Sequence, residues 1–324
     1  MAVIGIESSA HTFGVGIAEG GRVLANEKEM YRIGTKGMIP DEVADFHIGN
    51  AGGVIRRALE KAGLGSGDIS GIGYTRGPGM GPCLQVGQLA ARFLAVRLGI
   101  RIVPVNHAVG HIEAARSFGG LDDPVALYVS GGNSQVLKLA ERPFRHYHVL
   151  GETFDIGVGN MLDTFARKTG LNPAWGSTVD MAGRGGRYIE LPYSVKGMDF
   201  SFTGLLTKAL ALSRERGMRD LCFSLEETAF AMLCETAERA LLLTNSNELC
   251  VCGGVAQNAR LRGMLRSMAE EHGVRFGFAP DEFNADNGGM IALVAERMLD
   301  AGRSVPVGRC DIEQRYRIEK AHVV

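Results

Sequence analysis

The chain has 324 residues, 45% of them apolar and 22% charged, a globular balance that excludes a disordered or fibrous protein. At roughly 150 residues per domain it is long enough for two domains. With 35 basic against 36 acidic residues the formal charge is −1, which excludes a uniformly basic surface but leaves room for a local basic patch. Glycine is the outlier. Its 45 copies are about twice the usual share and point to tight turns and backbone set close to a ligand.

The N-terminus, MAVIGIESSAHTFG, has no basic leader region and carries Glu7, so it does not read as a signal peptide. The best apolar stretches are interrupted by Arg92 and Arg97, or by Glu235, Glu238 and Arg239, so none reads as a membrane span. The six cysteines show neither zinc spacing nor a paired framework, and Cys250 and Cys252 alternate on an apolar run that reads as reduced core. A soluble, cytoplasmic protein with no membrane partner is expected.

In chain order, Val3 to Ala25 reads as a hairpin turned at ESSAHT. A helix follows from about Pro40 to Ala62, with His47 inside it. ISGIGYT (69–75) is a strand, RGPGMGP a turn into a helix over 84–98, and IRIVPV (100–105) another strand before the helix of NHAVGHIEAARSF. LYVSGGNSQVLKLAE (127–141) repeats the strand, small-polar turn, strand layout of residues 5–19, and His146 and His148 alternate on a further strand. Helices are then expected at 160–169, 203–216, 224–244, 258–272 and 286–301, with strands at 248–254 and 275–280. Strand–helix alternation of this kind predicts an α/β fold of two lobes with a cleft between them. The boundary is placed between residues 1–124 and 125–324, with the last ~20 residues free to pack back on the first lobe.

Neither GxxxxGK[ST] nor GxGxxG occurs. The phosphate-cradling candidates are the SGGN turn at 130–133 and CGGVAQN at 252–258, where bare N–H groups at a strand end can face an anion; an ordinary Gly-Gly turn accounts for either one alone. His107 and His111 stand four apart on one helix face, a spacing that lets two imidazoles meet one metal ion. Ala108 stands where the HExxH pattern needs its glutamate, so zincin-type hydrolysis lacks a base. Asp286 begins a helix and reads either as an N-cap or as a carboxylate ligand reaching in from the second lobe. Asp155, Asp163 and Asp180 flank a glycine-rich segment and are candidates for ribose or hydroxyl contacts.

The series GIESSAHT, TRGPGMGP, VNHAVGHIEA, LYVSGGNSQV, KGMDFSFTGLL, GGVAQNARL and ADNGGMIA, in this order and spacing, resembles the universal tRNA threonylcarbamoyladenosine transferase family, formerly described as O-sialoglycoprotein endopeptidases. Within it the chain is most similar to the archaeal and eukaryotic branch, the catalytic subunit of the KEOPS complex. The resemblance covers essentially the whole chain. It implies an actin-like, sugar-kinase-like two-lobed ATPase fold. It also implies one divalent metal, iron or zinc, on His107, His111, Tyr128 and Asp286. An adenine nucleotide, threonylcarbamoyl-adenylate or ATP, would contact Tyr128, Val129, Ser130, Gly131, Gly132, Asp163, Gly176, Asp180 and Asn258. The implied reaction passes threonylcarbamoyl from its adenylate to N6 of the adenosine 3′ of the anticodon, releasing AMP. The implied partners are tRNA and KEOPS subunits, among them a small atypical kinase, fused at the C-terminal end in some relatives, and a small dimerising accessory subunit.

Two departures stand out. AWGST (174–178) replaces the Pro-Gly-Gly-Pro-like turn of the family, and Glu7 stands where actins and sugar kinases carry aspartate. The competing readings are an actin-like kinase or ATPase, to which a histidine pair is foreign, a metalloprotease, and a nucleotide-gated scaffold with a structural metal. With a net charge of −1 and no basic run longer than Arg56–Arg57, the isolated chain is expected to bind tRNA weakly and to lack an aromatic–basic RNA platform.

Overall fold

The computed structural model describes residues 2–32 and 38–324. It opens with strands β1 (Ala2–Glu7), β2 (Thr12–Glu19) and β3 (Arg22–Met30), then helix α1 (Pro40–Ala62), β4 (Ile69–Gly77), α2 (Gly81–Leu98), β5 (Arg101–Asn106) and α3 (His107–Gly119). Next come β6 (Val125–Val129), β7 (Ser134–Ala140), β8 (His146–Glu152), α4 (Val158–Thr169) and α5 (Gly176–Gly183). A short β9 (Val195–Lys196) and β10 (Asp199–Phe200) precede α6 (Thr203–Leu212) and α7 (Met218–Thr244). The chain continues through β11 (Glu248–Cys252), α8 (Ala259–Glu271), β12 (Arg275–Phe278), α9 (Asp281–Asn284) and α10 (Gly288–Asp300).

Local signals explain most of these limits. Pro40 starts α1 with Asp41 and Glu42 in its first turn, and Gly63 ends it in the left-handed conformation. The sequence reading missed β3 and α5, because the mixed polar pattern of RVLANEKEM and the glycine-rich run before Asp180 hide their periods. It also started α2 three residues late.

The chain divides into two compact units, and neither is contiguous. The first holds Met1–Ala114, Ala140–Tyr147 and Ala285–Val324; the second holds Ala115–Leu139 and His148–Asn284. A single cut after residue 124 is therefore corrected: the whole stretch from Ala285, α10 included, belongs with the first unit.

In the first unit the sheet runs β3-β2-β1-β4-β5, with β1 parallel to β4 and β4 parallel to β5, while β2 is antiparallel to both neighbours β1 and β3. Every residue of β1 is buried, as expected of a central strand covered on both faces. The helix α10 lies directly on β1 and β2. The approach needs glycine on both sides: a Cβ on Gly16 would fall 2.2 Å from the Gly289 nitrogen, and one on Gly288 would fall 2.1 Å from the Gly16 nitrogen.

The second unit's sheet runs β12-β11-β6-β7-β8. That is the order β5-β4-β1-β2-β3 over again, with β6 antiparallel to β7 and parallel to β11. The duplication suggested by the two turned hairpins is thus one of topology. A large apolar core around Phe165, Phe200, Phe202 and Phe230 packs α4, α6 and α7 together.

Candidate active site

In the first unit, Asn106 ends β5 and its Oδ1 accepts from the backbone N–H of Ala108 and Val109. The helix start is therefore satisfied by Asn106, and the imidazoles of α3 are left for other work. His107 and His111, one turn apart, have ring centroids 4.7 Å apart. Asp286 Oδ1 lies 3.5 Å from His107 Nε2 and 3.3 Å from His111 Nε2. One ligand atom from each of the three lies within 4.8 Å of the others. Two imidazole nitrogens and a carboxylate oxygen suit iron and zinc alike.

Asp286 is not an N-cap. That place is taken by Asn287, whose side chain accepts from the Met290 N–H, and this leaves the Asp286 carboxylate to the histidines. All three residues belong to the first unit, so the expectation of a ligand reaching in from the second lobe is also corrected. The close glycine contact of α10 with β2 is what carries Asp286 to this position.

Sequence reasoning gave Glu7 no part in the metal site. In the structure it is fully buried at the end of β1. Its carboxylate accepts from the Ser9 N–H at 2.6 Å and the Thr75 hydroxyl at 2.6 Å, and lies 3.0 Å from His107 Nδ1. A carboxylate on the far nitrogen of a ligand imidazole fixes the ring and raises its basicity. Burial alone would lower the His107 pKa, but Glu7 and Asp286 outweigh it and hold it at about 9. Burial would raise that of Asp286, yet the two histidines draw it well below the carboxylate range. His111 is shifted down, chiefly by burial.

The nucleotide candidates all lie in the second unit. Tyr128, buried, and Val129 end β6, and the turn that follows is tied by Ser130 N–H donating to the Asn133 carbonyl and Asn133 N–H to Ser130 Oγ. The carbonyls of Ser130 and Gly131 accept from Gly159 and Asn160 at the start of α4. The N–H groups of Gly131 and Gly132 have no partner among the described residues, as an anion cradle requires.

The second candidate turn is brought alongside. Gly253 has φ +94°, and a Cβ there would meet the Val129 carbonyl at 2.4 Å. Asn258 caps α8, accepting from Arg260 and Leu261, and its Nδ2 donates to Glu226 at 3.0 Å. Asp163 accepts from Gly176 N–H at 2.7 Å and so anchors the start of α5, which carries Asp180. Glu226, another residue the sequence reading missed, is buried, and burial with Asp180 nearby pushes its pKa to about 8. Asp155 is engaged at the start of α6, where its carboxylate accepts from the Ser201 hydroxyl and from Phe202 N–H and Thr203 N–H. Tyr128 lies in the second unit and the histidine–aspartate triad in the first, so its assignment as a fourth metal ligand rests on the resemblance.

A sequence profile described as TsaD, tRNA N6-adenosine threonylcarbamoyltransferase, matches residues 21–293. The chain is 45% identical over 324 residues to the tRNA N6-adenosine threonylcarbamoyltransferase of Thermofilum pendens, a match covering 99% of this chain and 96% of that one. The chain belongs to the tRNA N6-adenosine threonylcarbamoyltransferase family. As a threonylcarbamoyltransferase it is a metal-dependent acyltransferase that modifies a tRNA adenosine in adenine-nucleotide-dependent chemistry.

A protein of Methanothermobacter thermautotrophicus described as a probable bifunctional tRNA threonylcarbamoyladenosine biosynthesis protein is also 45% identical, over 326 residues covering 100% of this chain and 60% of that one. Among solved structures, HypF of T. kodakarensis matches with a TM-score of 0.63 at 16% identity, over 93% of this chain and 48% of that one. Component A of the Acidaminococcus fermentans (R)-2-hydroxyglutaryl-CoA dehydratase matches at 0.57 and 14%, over 94% and 100%. With a ROK-family glucokinase of Streptomyces griseus at 0.51 and 12%, over 92% and 100%, they establish the actin and sugar-kinase fold for the threonylcarbamoyltransferase. Among the described residues no helix is long and apolar enough to cross a membrane, and the six cysteines are free.

Proposed function

We propose that this threonylcarbamoyltransferase holds its activated substrate as an adenylate on Tyr128, Val129, Ser130, Gly131, Gly132, Asp163, Gly176, Asp180 and Asn258. We further propose that its acceptor is N6 of the adenosine 3′ of the anticodon. The observation that carries this reading is the pair of unpartnered N–H groups on Gly131 and Gly132, beside a second glycine turn and the fixed side chain of Asn258. These donors suit the phosphate of an AMP moiety. Asp163 fixes Gly176 and thereby the helix that presents Asp180.

The substrate is a mixed anhydride, so transfer needs orientation more than a strong base. N6 forms a bond to the carbamoyl carbon, the bond from that carbon to the phosphate oxygen breaks, and the N6 proton is released as AMP departs. A metal held by His107, His111 and Asp286 would supply Lewis-acid polarisation. Glu7 orients His107, and the backbone donors of the turn keep the phosphate in place.

The chain works in the cytoplasm as the catalytic subunit of a KEOPS assembly, with a small atypical kinase and a small dimerising subunit. The bifunctional description of a longer relative supports a second activity travelling with this one. The test is a modification assay on transcribed tRNA with threonylcarbamoyl-adenylate, run with Asp163→Ala and His111→Ala. Loss of nucleotide affinity in the first and loss of metal in the second is expected. Equal loss of both ligands in Asp163→Ala would assign that residue to the metal or the fold instead.

A further inference from the structure

The segment after α5, RGGRYIELPYSVKG (184–197), interleaves aromatic and basic residues, contrary to the expectation that the chain has no such stretch. Residues 186–194 form neither helix nor strand, yet they are fastened along α7. Arg187 N–H donates to Asp220 Oδ1 at 2.9 Å, and Ile189 N–H to Ser224 Oγ at 2.7 Å. The Tyr188 hydroxyl lies 3.2 Å from Thr228 Oγ1, and the Tyr193 hydroxyl donates to Glu235. Each phenol is thus tethered by its tip, while the side chains stay open: Tyr188 is 56% and Tyr193 49% exposed. A buried tyrosine would be core; these two are held in place without being covered.

The charges around them are uneven. Arg187, Lys196 and Arg219 are exposed and have no ion-pair partner among the described residues. The acidic groups facing the segment from α7 are engaged: Asp220 by Arg187 N–H, and Glu235 by Arg239 and Tyr193. Glu190 is the exposed exception within the segment. The strap also leaves directly from the proposed nucleotide site, because Arg184 pairs with Asp180 one turn earlier, at 3.1 Å.

We infer that this strap is a stacking platform for the single-stranded loop of the tRNA substrate, with Tyr188 and Tyr193 stacking on unpaired bases while Arg187, Lys196 and Arg219 meet phosphates. The inference rests on the proposed placement of the adenylate in the same unit. Tethered rings lose little freedom when a base stacks on them, and every base offers a π-face. An anticodon loop provides the splayed bases and dense negative charge that match this surface. Two rings and three cations make a reading surface rather than a high-affinity one, as the weak tRNA binding expected of the isolated chain requires.

The test uses the full chain and a synthetic anticodon stem-loop carrying 2-aminopurine in the loop, titrated at low ionic strength. Tyr188→Ala and Tyr193→Ala should each weaken binding by about tenfold and abolish quenching of the 2-aminopurine. The Phe variants, which keep the ring but lose the tether, should retain most of the affinity and the quenching. ATP affinity should be unchanged in all four, and each should keep the wild-type far-UV circular dichroism. Unchanged RNA affinity in both alanine variants, equal loss in the phenylalanine variants, or no measurable loop binding by the wild type would each overturn the inference. Equal binding of a polyglutamate peptide, insensitive to the tyrosines, would mark an acidic protein partner and overturn it too. The titration needs no turnover, so a chain that failed to modify tRNA would count against the adenylate reading and not against the strap.

Discussion

The buried carboxylate of Glu7 lies 3.0 Å from Nδ1 of His107, so the imidazole presents its other nitrogen to Asp286. Glu7 is itself held by Ser9 and Thr75, and a carboxylate so constrained would act on a bound metal through the histidine. Replacing Glu7 by Gln keeps the shape and removes the charge. Metal affinity should fall by about 10- to 100-fold, read by competition with a chromophoric chelator, with little change in far-UV circular dichroism. Undiminished affinity would mean that the Glu7–His107 pair serves folding alone.

The pH dependence of metal binding follows from the same pair. With its pKa raised to about 9 from 6.5, His107 is protonated at neutral pH in the metal-free chain. Metal capture must release that proton, so apparent affinity should climb by up to about tenfold per pH unit until it levels near 9. The raised value stabilises the metal-free fold fully below pH 6.5, and that contribution is lost as pH rises through 9. Calorimetry in buffers of different ionisation enthalpy would count the proton; the absence of any proton release at pH 7 would contradict the assignment.

Glu226 makes a second pH prediction, in the other unit. Its folded pKa of about 8, against 4.5 ordinarily, means that the native state keeps the proton and the unfolded chain loses it. Stability should therefore decline as pH rises from 4.5 to 8, with a slope from this group of up to about 1.4 kcal/mol per pH unit. Glu226→Gln should flatten that slope in urea titrations at stepped pH. A variant as pH-sensitive as the wild type would show that Glu226 is not the group responsible.

The glycine contact beneath Asp286 can be probed by volume alone. Gly288→Ala would push a methyl group to 2.1 Å from the Gly16 nitrogen. Because backbone stands on both sides, neither can yield cheaply, and a loss of about 3 kcal/mol or more is expected, seen as a lowered Tm. Metal affinity should fall with it, since the same displacement carries Asp286 away from the histidines. A stable variant with full metal affinity would show that α10 can shift without consequence.

Much of this protein is legible one residue at a time. Pro40 and Gly63 mark the two ends of α1 because helix initiation and termination are local backbone problems. The spacing of His107 and His111 places both imidazoles on one helix face, because a turn has a fixed period. The Gly-Gly turns at 131–132 and 253–254 declare backbone left bare, and the motif series names the family. Tertiary structure alone decided the rest. Asp286 could cap a helix or face a metal until Asn287 took the cap, and Glu7 became a partner of His107 only when β1, β4 and β5 aligned. Residues 7, 107 and 286 are distant in sequence, and no local period relates them. The same holds for Glu226, an ordinary helical glutamate until Asn258 and Asp180 are packed against it. The unit to which α10 belongs was equally hidden, since it follows from which glycines let two backbones touch, a property of pairs of surfaces that no single segment carries.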